Sequence, residues 1–361
     1  MGIAIVELHY HEEFISTLYS LFKDSDDVTI FTTLDVKNNL SSDIVDDALF
    51  VVCNGNKKDF IESIPVGDFD RVFVNTIQPS MVDLWFWKYY PASSQSVLTL
   101  HNLYAWRNKS FVPRLNMFRS FDSYFAGRYT DMVLSKFSVL NVVYEPMIRY
   151  AQDLFPLHKV IHIPFALAQD NIDRSVHDDM VFVIPGTVSN TRRDYGPVIE
   201  AFDRLYEKHK HIQLVLLGEN RSNVSFDSKP YVTCFNSRVP VDEYDSILRN
   251  ADFVICPSVE KTWTVNTASE WYGKTKSSNL SDAIKWRQPV IIPEYIPFPE
   301  GMSSSVLTYK NSMDLYGKLE RVLSDSNYFT YLKEEAVRNC NLYSGEQVKK
   351  RLWRDLFEKQ V

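Results

Sequence analysis

Short apolar runs rich in β-branched residues recur along this chain, each followed by a stretch whose apolar residues fall at helical spacing. The candidate strands are residues 3–8, 28–33, 49–54, 71–76, 96–101 and 160–164, then 180–185, 212–217, 231–235, 252–257 and 289–293. Continuous runs such as Val-Phe-Val-Ile and Leu-Val-Leu-Leu suit strands covered on both faces, as in parallel sheets. Phe14, Leu18, Leu21 and Phe22 mark one intervening helix, and Val198, Ala201, Phe202 and Leu205 another. Such alternation predicts doubly wound α/β domains. It begins twice, at Ile3 and at Met180, with a polar, acidic stretch over 166–179 in between.

A chain of 361 residues has the length of two ordinary domains. The expected division is 1–166, 167–340 and a terminal helix over 341–361. Ser344-Gly345-Glu346-Gln347 is a capping box, and Val348, Leu352 and Leu356 follow at helical spacing with Trp353 and Phe357 beside them. This wide apolar stripe needs a partner surface, for which the N-terminal domain is the expected one. Apolar residues at 45% are enough for two cores. A net charge of −7, with Lys and Arg spread along the chain, argues against nucleic acid as a partner. Cys53, Cys234, Cys256 and Cys340 form no C-x-x-C and read as reduced structural thiols, Cys53 and Cys256 within buried strands. The N-terminus has no basic stretch, and no apolar run reaches the roughly 18 residues of a membrane span. A soluble cytoplasmic protein is expected, free to rest on the inner face of a membrane. There is no G-x-G-x-x-G, no P-loop and no G-x-S-x-G. Asp24-Ser25-Asp26 reads as a solvated turn, and His9 and His11 point to opposite sides of an extended chain, so no metal site is expected.

The strand ends carry the chemistry, because ligands of open α/β sheets bind at the carboxyl ends of the strands. Pro185-Gly186-Thr187-Val188-Ser189-Asn190-Thr191-Arg192-Arg193 follows the first strand of the second half. Gly186 permits close backbone approach, Thr187 offers a hydroxyl, and Arg192 and Arg193 stand just before a helix, which suits a diphosphate. Lys276, Ser277 and Ser278 open a second such helix start, with Asp282 a turn further in as a ribose ligand. In the first half His101 leaves a strand where a base or a sugar-orienting group is useful. His9, Thr76, Gln78 and Asn102 stand at neighbouring strand ends as hydrogen-bonding partners for an acceptor.

In these residues the chain resembles GT-B-fold glycosyltransferases, and is most similar to the family 4 retaining enzymes. The resemblance lies in Pro185-Gly186 with Arg192-Arg193, in Ile255-Cys256-Pro257-Ser258, in Tyr272 to Ile284 before Pro289-Val290-Ile291, and in His101. Arg193 stands where the family usually has Lys, and Thr187 where it often has Arg. Asp282 replaces the second of two glutamates, and Arg287 a small residue. Glu270, with Glu260 as the alternative, takes the first glutamate's role.

The resemblance implies two facing Rossmann-like domains with a C-terminal helix packing back on the first. It implies a nucleotide-diphosphate sugar as donor substrate, held on the C-terminal domain by Gly186, Thr187, Arg192, Arg193, Lys276, Ser277, Ser278 and Asp282. His101 and Glu270 are its catalytic residues, acting without metal or cofactor. The acceptor, a saccharide or lipid-linked saccharide, belongs to the N-terminal domain. Aromatic and basic residues over 85–90 and 106–128 are compatible with a peripheral membrane contact. A nucleotide-sugar 2-epimerase on the same architecture and a non-catalytic sugar-nucleotide-binding protein are the rival expectations.

Overall fold

The computed structural model describes residues 2–24, 26–107, 129–170, 172–175, 177–221, 226, 229–263, 269–276 and 280–356. The chain folds into two compact units, Met1–Phe165 with Trp263–Ser277 and Val348–Val361, and Ala166–Thr262 with Ser278–Gln347.

The first unit is built on β1 (Gly2–Glu7), β2 (Asp27–Thr32), β3 (Leu49–Val52), β4 (Arg71–Val74), β5 (Ser93–Leu100), β6 (Phe137–Val142) and β7 (Lys159–His162). They form one sheet in the order β3-β2-β1-β4-β5-β6-β7, parallel at every pairing. The second unit holds β8 (Met180–Pro185), β9 (Ile212–Glu219), β10 (Val232–Phe235) and β11 (Phe253–Ile255). β12 (Lys261–Trp263) and β13 (Ser269–Trp271) belong to neither large sheet, and β14 (Val290–Pro293) and β15 (Val306–Tyr309) complete the second. Its order is β10-β9-β8-β11-β14-β15, again parallel. Counted from its own first strand, the first sheet runs 3-2-1-4-5-6-7 and the second 3-2-1-4-5-6, the doubly wound order. The order reverses between β1 and β4 and between β8 and β11, which places a crevice at the carboxyl ends of those strands.

The periodicities behave as expected in the helices. Phe14, Leu18, Leu21 and Phe22 lie buried on the helix Glu12–Phe22, and Val198, Ala201, Phe202 and Leu205 on Gly196–Lys208. Coverage of both strand faces fails at the edge strand β3, where Leu49 and Val51 are exposed. Cys53 accordingly lies past the end of β3 and only half-buried, not inside a buried strand. The terminal helix Gly345–Leu356 shows half of its capping box, the Gln347 amide donating to Ser344 Oγ at 3.4 Å while the Ser344 amide donates to the Asn341 carbonyl at 3.1 Å. From Val348 onward it packs with the first unit, where Arg71 donates to the Leu356 carbonyl and Lys349 lies 3.8 Å from Asp26. Val348, Leu352 and Leu356 are buried, but Trp353 is largely exposed, so the apolar stripe is narrower than expected. Phe357 lies outside the described residues.

Arg287 has φ 51, a left-handed backbone that favours a small residue. Here the large side chain pins the second unit together. Its guanidinium donates to the Gln169 carbonyl at 2.6 Å, to Asp170 at 2.6 Å and to the Asn341 side chain. These contacts offset a backbone cost of about 1–2 kcal/mol.

Candidate functional site

At the switch point of the first sheet, β1 ends in a carboxylate that is fully buried, Glu7. Its Oε1 accepts the His9 and Tyr10 amides at 2.8 and 3.3 Å, and its Oε2 accepts the Thr76 hydroxyl at 2.6 Å. Burial pushes the Glu7 carboxyl up to about 8 against these hydrogen bonds. The carboxyl thus fastens the turn after β1 to the end of β4.

Beyond this clamp the two histidines of the turn part company. His9 Nε2 lies 2.9 Å from Asp83 Oδ2 and 3.0 Å from Lys57 Nζ, and Lys57 reaches Asp83 Oδ1 at 2.6 Å. Asp83 also accepts the Gln78 amide at 2.8 Å, and its own amide donates to Ser80 Oγ at the start of the helix Met81–Trp87. Burial pushes the Asp83 carboxyl up, but His9 and Lys57 outweigh it and hold the group below its ordinary value. His11 turns the other way and stacks on His101 with ring centroids 4.1 Å apart. His101 Nε2 lies 3.0 Å from the Asn75 carbonyl. Burial pushes His101 down to about 4, and burial with the neighbouring His101 and His9 pushes His11 down to about 3, so both are neutral near pH 7. The Asn75 side chain is buried beside them without a hydrogen-bond partner among the described residues.

In the second unit β8 runs into Gly186 at φ 84. A Cβ on Gly218 of β9 would stand 2.4 Å from the Gly186 carbonyl carbon, so two main chains touch where only glycine fits. Arg193 braces this turn, its guanidinium donating to the carbonyls of Pro185, Gly186 and Thr187. The segment 192–194 pairs with the chain after β11, the Asp194 amide donating to the Pro257 carbonyl at 2.8 Å and the Val259 amide to that of Arg192 at 3.1 Å. Two of the sequence segments singled out above therefore meet at this second switch point. The buried Cys256 thiol feels the charges of both Asp282 and Arg193, and Tyr244 donates to Asp282 Oδ2 at 3.4 Å. Arg192 is exposed and its side chain has no partner among the described residues.

Solved structures share this architecture over the full chain. Sucrose-phosphate synthase of Thermosynechococcus elongatus is 13% identical over 99% of both chains with a TM-score of 0.60. HepE of Anabaena, solved with UDP and glucose, is 12% identical over 99% of both chains with a TM-score of 0.58. A protein of Listeria monocytogenes described as a UDP-N-acetylglucosamine 2-epimerase is 12% identical over 97% of this chain and 94% of its own, with a TM-score of 0.54. The fold is GT-B. No protein-family model matches the chain, and no curated protein matches it in sequence.

Within this GT-B chain the expected site residues fall into three groups. Gly186, Thr187, Arg192, Arg193 and Asp282 lie in the second unit. Arg193 differs from expectation there, because its donors are spent on three carbonyls and it acts first as a loop brace. His9, Thr76, Gln78, Asn102 and His101 lie in the first unit, all at strand ends. Thr76 serves Glu7, and Asn102 Oδ1 accepts the Tyr104 and Ala105 amides as the cap of a short helix. Lys276 also belongs to the first unit, in a turn fastened to the end of β5 by the Leu103 amide, which donates to the Thr275 carbonyl at 2.8 Å. It was expected in the donor domain. Ser277 and Ser278 lie outside the described residues, and of Glu270 only the backbone in β13 is described. Glu260 is exposed. Of the aromatic–basic run, Trp87 and Tyr90 belong to the core, and only Trp85 is exposed, with Lys88 against its ring. Residues 108–128 of the second aromatic–basic stretch lie outside the described residues.

Sequence reasoning missed Glu7, His11, Lys57 and Asp83. A signal for Glu7 existed, since it closes the continuous apolar run Ile3–Val6 that reads as covered on both faces. Ser80-x-x-Asp83 after β4 is a capping-box spacing. Among the described residues no helix is long and apolar enough to cross a membrane.

Proposed function

We propose that the protein is a glycosyltransferase that moves a hexose-type sugar from a nucleotide-diphosphate sugar to a saccharide or lipid-linked saccharide, with retention, in glycan or polysaccharide biosynthesis. The observation that carries this reading is the full-length likeness to chains solved with UDP and sugar. The Gly186–Gly218 contact and the cations of 192–193 support it, because they leave main chain and positive charge where a diphosphate is held best. On this reading the second unit takes the donor, with Asp282 on the ribose and Arg192 and Arg193 offsetting the charge of the leaving diphosphate. No metal ion is invoked for that step. His101 and Glu270 orient the transferred sugar, and the first unit receives the acceptor through His9, Thr76, Gln78 and Asn102. The reading carries with it a cytoplasmic location, at the inner membrane face if the acceptor is lipid-linked.

The likeness to an epimerase keeps a second reading, conversion of the donor sugar without any acceptor. The two separate in one assay of UDP-, GDP- and ADP-sugars with and without saccharide acceptors. Nucleotide release that depends on acceptor is the expected result. Acceptor-independent epimerisation identifies the second reading, and binding without turnover overturns both. Arg192→Ala is expected to weaken nucleotide binding about tenfold, roughly one charge-assisted hydrogen bond, without lowering Tm. Arg193→Lys is expected to lower both, because an ammonium cannot span three carbonyls. If both variants bind UDP and GDP as the parent does, the site lies elsewhere.

A further inference from the structure

His11 is an improbable residue for its place. It stands at the N-cap of the helix Glu12–Phe22 with φ 95 and ψ 42. That backbone favours glycine or asparagine, and the cap position favours short oxygen-bearing side chains. His11 makes no side-chain cap hydrogen bond, so the helix gains nothing from the imidazole. A non-glycine residue left-handed costs about 1–2 kcal/mol and persists only where the surroundings over-determine it. They do so here. Glu7 holds the two preceding amides, Glu12 Oε2 accepts the His11 amide at 3.2 Å, and the His11 carbonyl takes the Phe14 and Ile15 amides. What this geometry achieves is the placement of one ring. The imidazole lies on His101 at an interplanar angle of 21°, with Phe165 edge-on at 5.5 Å.

We propose that His11 is a positioning residue for His101, fixing which of its nitrogens is left to accept a hydrogen bond. His101 is closed in on its other sides by Phe14 at 6.3 Å and Phe165 at 6.1 Å, both edge-on. With its ring so held, Nε2 carries the proton and donates to the Asn75 carbonyl at 3.0 Å. Nδ1 then has the lone pair. A ring flip loses the Asn75 bond, and the stack on His11 holds the ring in the plane in which that bond is made. The groups facing the pair are His9, Tyr10 with its ring 4.5 Å from that of His11, the Asn75 carbonyl, the two phenylalanines and, through the His11 amide, Glu12. None supplies a charge that favours an imidazolium strongly. A neutral imidazole of fixed tautomer orients a hydroxyl and is too weak a base to remove its proton near pH 7. That the hydroxyl is the transferred sugar's rests on the glycosyltransferase reading, whereas the positioning itself does not.

The imidazole nitrogen signals of His101 test this in ¹⁵N-histidine-labelled full chain. The parent is expected to show the Nε2–H tautomer at pH 7 and a midpoint near 4. His11→Asn, which tolerates the left-handed backbone, is expected to show mixed tautomers and a midpoint moved up toward the ordinary 6.5. His11→Phe restores a ring over His101 and is expected to restore the single tautomer. In turnover with a UDP-sugar, His11→Asn is expected to lose about 10–100-fold in kcat, the usual size of a supporting-residue effect, and His11→Phe to recover most of it. Affinity for UDP alone stays within about twofold in both, since UDP lacks the sugar. An Nδ1–H tautomer in the parent, or His101 signals in His11→Asn that superimpose on the parent's, overturns the proposal whatever the activity. Expected signals in a parent that turns over no donor leave the positioning standing and sink the glycosyltransferase reading.

Discussion

Glu7→Gln is expected to be more stable than the parent at pH 9 and about equal to it at pH 4. The Glu7 carboxyl titrates near 8 in the folded protein against 4.5 in its ordinary state, with burial as the dominant cause. A folded-state value above the unfolded one means that the stabilising contribution is complete below pH 4.5. It is lost as the pH rises through 8, because the unfolded chain ionises first and the folded chain must then ionise a buried group. The gap of about 3.5 pH units corresponds to on the order of 5 kcal/mol at about 1.4 kcal/mol per unit. Glutamine offers the same pattern as the neutral acid. Its oxygen can accept the His9 and Tyr10 amides, and its nitrogen can donate to Thr76. Denaturant midpoints at pH 4, 7 and 9 check this, read as the difference between variant and parent so that other titrating groups cancel. Parallel profiles across that range would show that Glu7 is not the buried proton store described here.

Gly218→Ala is expected to be the most damaging single methyl in the second unit. The new Cβ meets the Gly186 carbonyl carbon at 2.4 Å, its oxygen at 2.5 Å and the Thr187 nitrogen at 2.7 Å. All three are main-chain atoms, so no rotamer change relieves the clash. The Gly186 strand cannot retreat easily either, since its amide donates to the Leu217 carbonyl at 2.8 Å and its own carbonyl is gripped by Arg193. Overpacking of this kind costs about 3 kcal/mol or more, or roughly 10 °C in Tm for a unit of this size. Nucleotide binding is expected to vanish with it, because the deformed turn is the one that would meet the diphosphate. Gly317→Ala is the control. It meets nothing within 4 Å in the middle of the helix Ser312–Ser324 and should stabilise by up to about 1 kcal/mol. A Gly218→Ala protein that melts with the parent and still binds UDP would remove the close approach from the argument.

Of the four strands absent from the expected set, β6, β12, β13 and β15, the two that belong to the large sheets show where pattern reading stops. In β6 the run Phe-Ser-Val-Leu-Asn-Val carries Asn141 at a buried position, which broke the apolar signal. The asparagine is satisfied only by partners distant in the chain, Thr99 Oγ1 at 3.2 Å and the Ile163 amide at 2.7 Å. β15, Val-Leu-Thr-Tyr, is short and follows a turn of serines, so nothing local separates it from a loop. Both are real because neighbouring strands complete their hydrogen bonds.

The order of strands and helices, the second beginning at Met180, the glycine at Gly186 and the histidine ending β5 were all legible in the sequence, because each is a local consequence of residue type and spacing. Tertiary structure alone decided the partners. It turned Arg193 onto three carbonyls, gave Lys276 to the first unit, buried Glu7 and laid His11 on a histidine 90 residues away. Backbone propensity and periodicity act over a few residues, whereas a charge's counterpart and a ring's neighbour are set by how sheets are ordered in space. No local rule carries that information.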